Sequence, residues 1–144
     1  PLRTEEDRIS LVKGLSDGTI DVIVSDHKPE DEESKRLTFA QAETGASGIE
    51  TLLSLSLEHY HNGSVKLETI IKALTSNPAK ILKIDKGTLS IDRDADFCIV
   101  DLNKPWIVKQ ENLHSKSKNT SIENKKLQGK VTNTFVKGEE LFKL

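Results

Sequence analysis

Cysteine occurs once, at Cys98, so the chain can form no intrachain disulfide, and a reducing, cytoplasmic setting is the simpler inference. No apolar run approaches the roughly 20 residues needed to span a bilayer, and the amino terminus has no signal-like pattern. Neither sign of charge predominates, since 21 basic and 23 acidic residues are interspersed and leave a net charge of −2. That balance offers no electrostatic footprint for nucleic acid or for an anionic membrane. Aromatic residues are scarce, at 4%, which a soluble protein tolerates. Length is the last shortage: 144 residues can bury a respectable core, but a closed (β/α)8 barrel takes roughly 250.

What is present centres on residues 19–29. Ile20, Val22, Ile23 and Val24 form a β-branched run bounded by Asp17-Gly18 before it and Lys28-Pro29 after it. The pattern predicts a strand buried on both faces, of the kind found in parallel sheets with helices outside. Asp26 and His27 make an acid–imidazole pair at its carboxyl end, where α/β enzymes place their chemistry, and Asp26 is the first catalytic candidate. An acid in that position can equally cap a loop or pair with a basic side chain. Upstream, Thr4 followed by Glu5, Glu6 and Asp7 predicts a capped helix start, with Ile9, Val12 and Leu15 on an inward face and Asp17-Gly18 as the stop. Helix, turn and strand in that order are half of an α/β unit, whose partner elements would lie upstream of Pro1.

Residues 30–36 are charged and lack apolar periodicity, which predicts either a merely solvated connection or a functional loop over the strand end. Gly45 and Gly48 then permit close backbone approach, and Glu50 stands before an apolar helix through Leu52, Leu53, Leu55 and Leu57. A glycine-bearing loop entering a helix can offer N–H groups to an anion, or its glycines can simply shape a turn. His59 and His61 end that helix. At i, i+2 they do not share a face, so a role at the helix carboxyl terminus is favoured over joint metal ligation. Ser64 is expected to cap a helix carrying Val65, Leu67, Ile70, Ile71 and Leu74. Asn77-Pro78 is expected to cap and start another, with Ile81 and Leu82 packed inward.

After Gly87 the period changes. Residues 88–91, 97–101, 106–108, 129–136 and 139–142 read as short strands, with Lys137-Gly138 a tight turn between the last two. Several such strands suggest a small β-sandwich, with Cys98 a small core residue and the acids of residues 92–96 turn formers. The chain therefore divides at residues 1–84 and 85–144. His114 to Thr120 reads as an exposed polar loop.

Several blocks in order resemble the dihydroorotase family of amidohydrolases over nearly the whole chain. They are Pro1-Leu2-Arg3-Thr4-Glu5-Glu6-Asp7-Arg8, Asp17-Gly18-Thr19-Ile20-Asp21, Ser25-Asp26-His27-Lys28-Pro29, Phe39-Ala40-Gln41-Ala42, Gly45-Ala46-Ser47-Gly48-Ile49-Glu50-Thr51 and Ser115-Lys116-Ser117-Lys118-Asn119-Thr120. The Asp-His-x-Pro element is shared with hydantoinases and allantoinases, whereas the later blocks favour dihydroorotases. The resemblance implies an α/β fold, the carboxyl-terminal part of a metal-dependent (β/α)8 barrel followed by strands of a small β-sandwich built from both chain ends. Ala95-Asp96 before an apolar strand matches the usual start of that sandwich.

It also implies a reaction, the reversible hydrolysis of the cyclic amide of dihydroorotate to carbamoyl-aspartate, in pyrimidine synthesis. One or two zinc ions would serve it, with Asp26 as a ligand and proton shuttle. The His-x-His motif, the bridging lysine or carboxylate and two further histidines would belong to strands upstream of Pro1. Gly45 matches a main-chain contact to the substrate ring. Two positions depart from the pattern: Glu30 stands where many relatives carry a substrate-binding histidine, and Thr44 stands beside Gly45 where an aromatic or proline is usual. A carboxylate at position 30 would repel an anionic substrate. The implied partners are a small-molecule substrate and the rest of the barrel, with homodimer or aspartate carbamoyltransferase association as further options. A hydantoinase or allantoinase, or a catalytically silent assembly partner, are the alternatives, and the isolated chain is expected to be inactive and poorly stable.

Overall fold

The computed structural model describes residues 3–144; Pro1 and Leu2, which open the first motif, lie outside them. Helix α1 (Glu5–Asp17) starts at a reciprocal cap in which Asp7 N–H donates to Thr4 Oγ1 at 3.2 Å and Thr4 N–H donates to Asp7 Oδ2 at 3.1 Å. It stops at Gly18, whose φ of 84° is left-handed. A four-residue turn, α2 (Glu32–Lys35), follows, then α3 (Leu52–His61), α4 (Leu67–Leu74) and α5 (Ser76–Leu82). The remainder is one antiparallel sheet in the order β1 (Phe97–Ile107), β2 (Lys126–Val136), β3 (Glu139–Lys143).

A small core forms where Leu15, Val65, Ile70 and Ala73 meet, with Val12, Ile20, Ile23 and Leu74 packed on it. Residues 20–24 lie against that core as a segment without a ladder partner among the described residues, so the strand expected to be buried on both faces is only half covered, and Val24 is 72% exposed. The reason is topological: a parallel strand pairs through crossovers, and the described residues hold no parallel neighbour. Its backbone is held instead by Ile20 N–H donating to Gly14 O at 2.9 Å, Ile23 N–H donating to Ala73 O at 3.1 Å and Asn77 Nδ2 donating to Asp21 O at 2.9 Å.

Helix α3 ties this layer to the sheet. Leu57 is fully buried over Gly129 of β2, so close that a Cβ at residue 129 would collide with its methyl group. Beside it, buried Ser54 donates to Gly129 O at 2.6 Å and accepts from Trp106 Nε1 at 3.1 Å. Within the sheet, Phe97 and Phe135 are register partners with stacked rings 4.6 Å apart. The β2–β3 turn is the tight one expected, with Lys137 at φ 51° and Gly138 at φ 82°, the positive pair that matches hairpin twist.

Several local expectations are corrected. The charged stretch after Pro29 contains α2, capped by the Asp31 side chain on Ser34 N–H at 2.8 Å. Ser64 caps no helix; its hydroxyl is turned back on Asn62 Oδ1 at 2.5 Å, and α4 starts from Lys66 with no side-chain cap. Asn77 and Pro78 fall inside the first turn of α5, where proline's missing N–H costs little, while Asn77 serves the strand instead. Residues 88–91 form no strand, and Ile91 is 92% exposed; Ile9, Ile81 and Leu82 are exposed too. Residues 106–107 continue β1 past an irregularity between Asp101 and Pro105 rather than forming a separate strand. Of the strands expected for part of a small β-sandwich, the described residues form one three-stranded sheet, and Cys98 is exposed, not core. No described helix is long and apolar enough to cross a membrane.

Two outcomes follow for stability. Ser54→Ala removes a buried hydroxyl serving two partners and is expected to cost about 1–2 kcal/mol in urea unfolding; a change under ~0.3 kcal/mol would show the junction is held by Leu57 alone. The Asp96 carboxyl is held below its ordinary range by the Lys86 ammonium first and by the Lys137 amide second. A lowered folded pKa contributes stability above the unfolded value of about 3.9, lost as pH falls through the folded value. Asp96→Asn should therefore lower Tm at neutral pH, and the gap to the unsubstituted protein should close on acidification below about pH 4. A gap independent of pH would contradict this pairing.

Candidate functional site

Three segments converge at the carboxyl end of residues 20–24. The first carries Asp26, whose φ of 46° puts a non-glycine residue in the left-handed region, which aspartate tolerates better than most. Asp26 lines an open cavity of about 710 Å³ together with Gly45, Ala46, Ser47 and Gly48. Its floor is apolar, made by residues 20–24, α1 and α3. Asp26 and Gly45 thus border one cavity.

The glycine loop lies against the strand end because only glycine fits there. Lys28 N–H donates to Ala46 O at 3.1 Å, and at that separation a Cβ on Gly45, whose φ is 129°, would stand 2.5 Å from Lys28 O. A Cβ on Gly48 would stand 2.9 Å from Ser25 O. His27 completes the seam: its Nδ1 accepts from Gly48 N–H at 3.1 Å and from Ile49 N–H at 3.3 Å. A nitrogen accepting two amides carries no proton, so the neutral ring bears its hydrogen on Nε2. His27 also lines a second, outer cavity of about 920 Å³.

Glu30 and Thr44 sit elsewhere. Glu30 lines the outer cavity, with its carboxylate 3.0 Å from Lys28 Nζ, and that contact, before any other, raises the lysine pKa. The repulsion expected of a bare carboxylate is therefore offset by its own neighbour. Thr44 lines neither cavity and contributes its carbonyl, which accepts from Lys28 Nζ at 3.0 Å. His59 borders the Asp26 cavity with a buried Nδ1 that has no partner among the described residues, whereas His61 turns to Tyr60 at 5.2 Å.

The third segment is the loop read as merely exposed and polar. Glu50 accepts from the amides of His114 and Ser115, both at 2.9 Å. Buried Ser47 donates its amide to Asn119 O at 2.7 Å and its hydroxyl to Ser117 O at 2.9 Å. Asn119 Nδ2 donates to Gly45 O at 2.9 Å, and Lys35 Nζ reaches the same oxygen at 3.1 Å. The sequence signal was there in the alternating Ser115-x-Ser117-x-Asn119, but its partners lie about seventy residues upstream, as the 70-residue separation of Ser47 and Ser117 shows.

Among the described residues no group of three or more His, Cys, Asp or Glu side chains could hold a metal ion. A catalytic zinc takes about three protein ligands and an open position. Asp26 is one carboxylate, and His27 has spent its Nδ1 on backbone amides. These residues by themselves do not fit a metal centre.

The model of the amidohydrolase family matches residues 2–141. The chain is 44% identical over 143 residues to a dihydroorotase of Ehrlichia chaffeensis, covering 99% of this chain and 32% of that protein. It is 41% identical over 144 residues to a dihydroorotase of Aquifex aeolicus, covering 99% and 34%. Its fold is similar to that of a dihydropyrimidinase from Brevibacillus agri, with TM-score 0.92, 23% identity and 99% and 32% of the two chains covered. An L-hydantoinase from Arthrobacter aurescens superimposes with TM-score 0.89 at 32% identity, covering 99% and 33%. The chain spans about a third of the length of the curated relatives it matches. With a glycine loop closed on the segment that carries Asp26 and a family match along nearly its whole length, the chain belongs to the amidohydrolase family.

Proposed function

We propose that this chain forms the carboxyl-terminal part of a dihydroorotase, with residues 1–84 as the last strand and outer helices of the barrel and residues 85–144 as part of the β-sandwich. The reaction is the reversible hydrolysis of the dihydroorotate ring amide to N-carbamoyl-aspartate in the cytoplasm. The observation that carries this reading is the shared cavity of Asp26 and the Gly45 loop, in a chain 44% identical to dihydroorotases. Amidohydrolases generally use a metal ion. In this reading the metal is zinc, Asp26 supplies one ligand, and the other ligands lie outside the described residues.

The chemistry assigned to this chain is a proton's path. Asp26 takes a proton from the water whose oxygen attacks the ring carbonyl carbon, and passes it to the ring nitrogen as the C–N bond breaks. Its place on an open cavity, at the end of an extended segment fixed by three non-sheet hydrogen bonds, suits a group that must reach both atoms. The apolar floor excludes water from below. Gly45 and its neighbours supply main-chain contacts to the ring, while Glu30 and Thr44, away from the Asp26 cavity, hold the Lys28 ammonium.

A hydantoin-type ring is the second reading, favoured by the fold likeness to hydantoinases. Turnover by the full-length protein of dihydroorotate, a 5-substituted hydantoin and dihydrouracil separates the two. We expect dihydroorotate to be preferred and Asp26→Asn to lower kcat by about 10³-fold or more, because an amide cannot carry the proton. Preference for the hydantoin would replace the substrate, and a near-normal Asp26→Asn rate would remove Asp26 from the mechanism.

A further inference from the structure

The carbonyl of Gly45 is held twice, by Asn119 Nδ2 at 2.9 Å and by Lys35 Nζ at 3.1 Å. Both donors line the outer cavity, and neither lines the Asp26 cavity. The described residues contain no cis peptide, so the Gly45–Ala46 bond is trans and the Ala46 N–H points opposite to the Gly45 carbonyl. Gly45 and Ala46 both line the Asp26 cavity. The Ala46 amide has no acceptor among the described residues. Ala46 is itself half-buried, and buried backbone N–H groups are ordinarily paired.

We propose that Asn119 is a positioning residue. By taking the Gly45 carbonyl from the outer side, it turns the Ala46 N–H into the Asp26 cavity as the donor to a carbonyl oxygen of a cyclic amide or imide ring. Asn119 has the rigidity for this. Its own carbonyl accepts from Ser47 N–H at 2.7 Å, and Glu50 anchors the start of its loop through two amides. A carbonyl that is gripped on one face by an amide and an ammonium cannot rotate without losing both. The orientation of one peptide plane in the substrate cavity is therefore set by a residue 74 positions away in sequence that does not line that cavity.

This inference rests on the cyclic-amide reading above, and its test separates the two. In Asn119→Asp a carboxylate replaces the donor, repels the Gly45 carbonyl and draws the Lys35 ammonium onto itself, so the carbonyl loses both partners. In the full-length protein, assayed with the same three ring substrates, KM for whichever ring is turned over should rise about tenfold with kcat within about twofold, the pattern of a lost ground-state contact. A structural role alone would lower the active fraction and Tm and leave KM in place. A crystal structure of the variant should show the Gly45–Ala46 peptide rotated out of its present plane. An unchanged KM, a fall in kcat alone, or an unrotated peptide overturns the proposal. If the unsubstituted protein turns over none of the rings, the functional reading fails, and the peptide plane in the variant structure still decides the role of Asn119.

Discussion

Two backbone amides, those of Gly48 and Ile49, converge on one unprotonated nitrogen of His27, and the site depends on that convergence. It brings the glycine loop onto the end of residues 20–24, where the Lys28–Ala46 hydrogen bond adds a third link. The approach is possible because residues 45 and 48 lack a Cβ, since either would press on backbone carbonyls that have nowhere to move. With the loop seated, Asp26 and the Gly45–Ala46 peptide face the same space. His27 is thus paired with Asp26 in sequence yet separated from it in function: the acid looks into the inner cavity and the imidazole closes the loop behind it.

The same loop is gripped from the sheet side. Glu50, Ser47 and Asn119 bind it to residues 114–119, which leave β1 through a short helical turn and return to β2. Because α3 is bolted to β2 by Leu57, Ser54 and Trp106, the sheet and the site share one rigid connection. Local charges follow the same economy. Lys28, Lys35 and Lys118 direct their ammonium groups to backbone carbonyls of these loops, so the polar loops are internally satisfied while their apolar surroundings are left open.

That openness has a consistent pattern. Val24 on the strand, Ile9 and Leu11 on α1, and Leu141 and Phe142 on β3 expose apolar surface that a self-contained fold of this length would cover. The relatives are about three times as long, and the structure has the uncovered faces expected of a piece that packs against more chain. Asp26 fits the same pattern: it is exposed, on the border of an open cavity.

Sequence by itself determined what is settled within a few residues. The Thr4 cap, the Gly18 stop and the Lys137-Gly138 turn follow from side chains that bond or bend their own neighbours, and each stands as expected. The motifs named Asp26 and Gly45 as candidates, and the fold sets both on one cavity. Tertiary structure decided the rest. Whether Ile91 and Cys98 are core or surface depends on a second layer, whether residues 20–24 make a ladder depends on parallel neighbours, and no local pattern records either. The polar loop around Asn119 became part of the site only when the fold carried it across to Gly45, since a hydrogen bond between distant residues leaves no periodicity for a sequence to show.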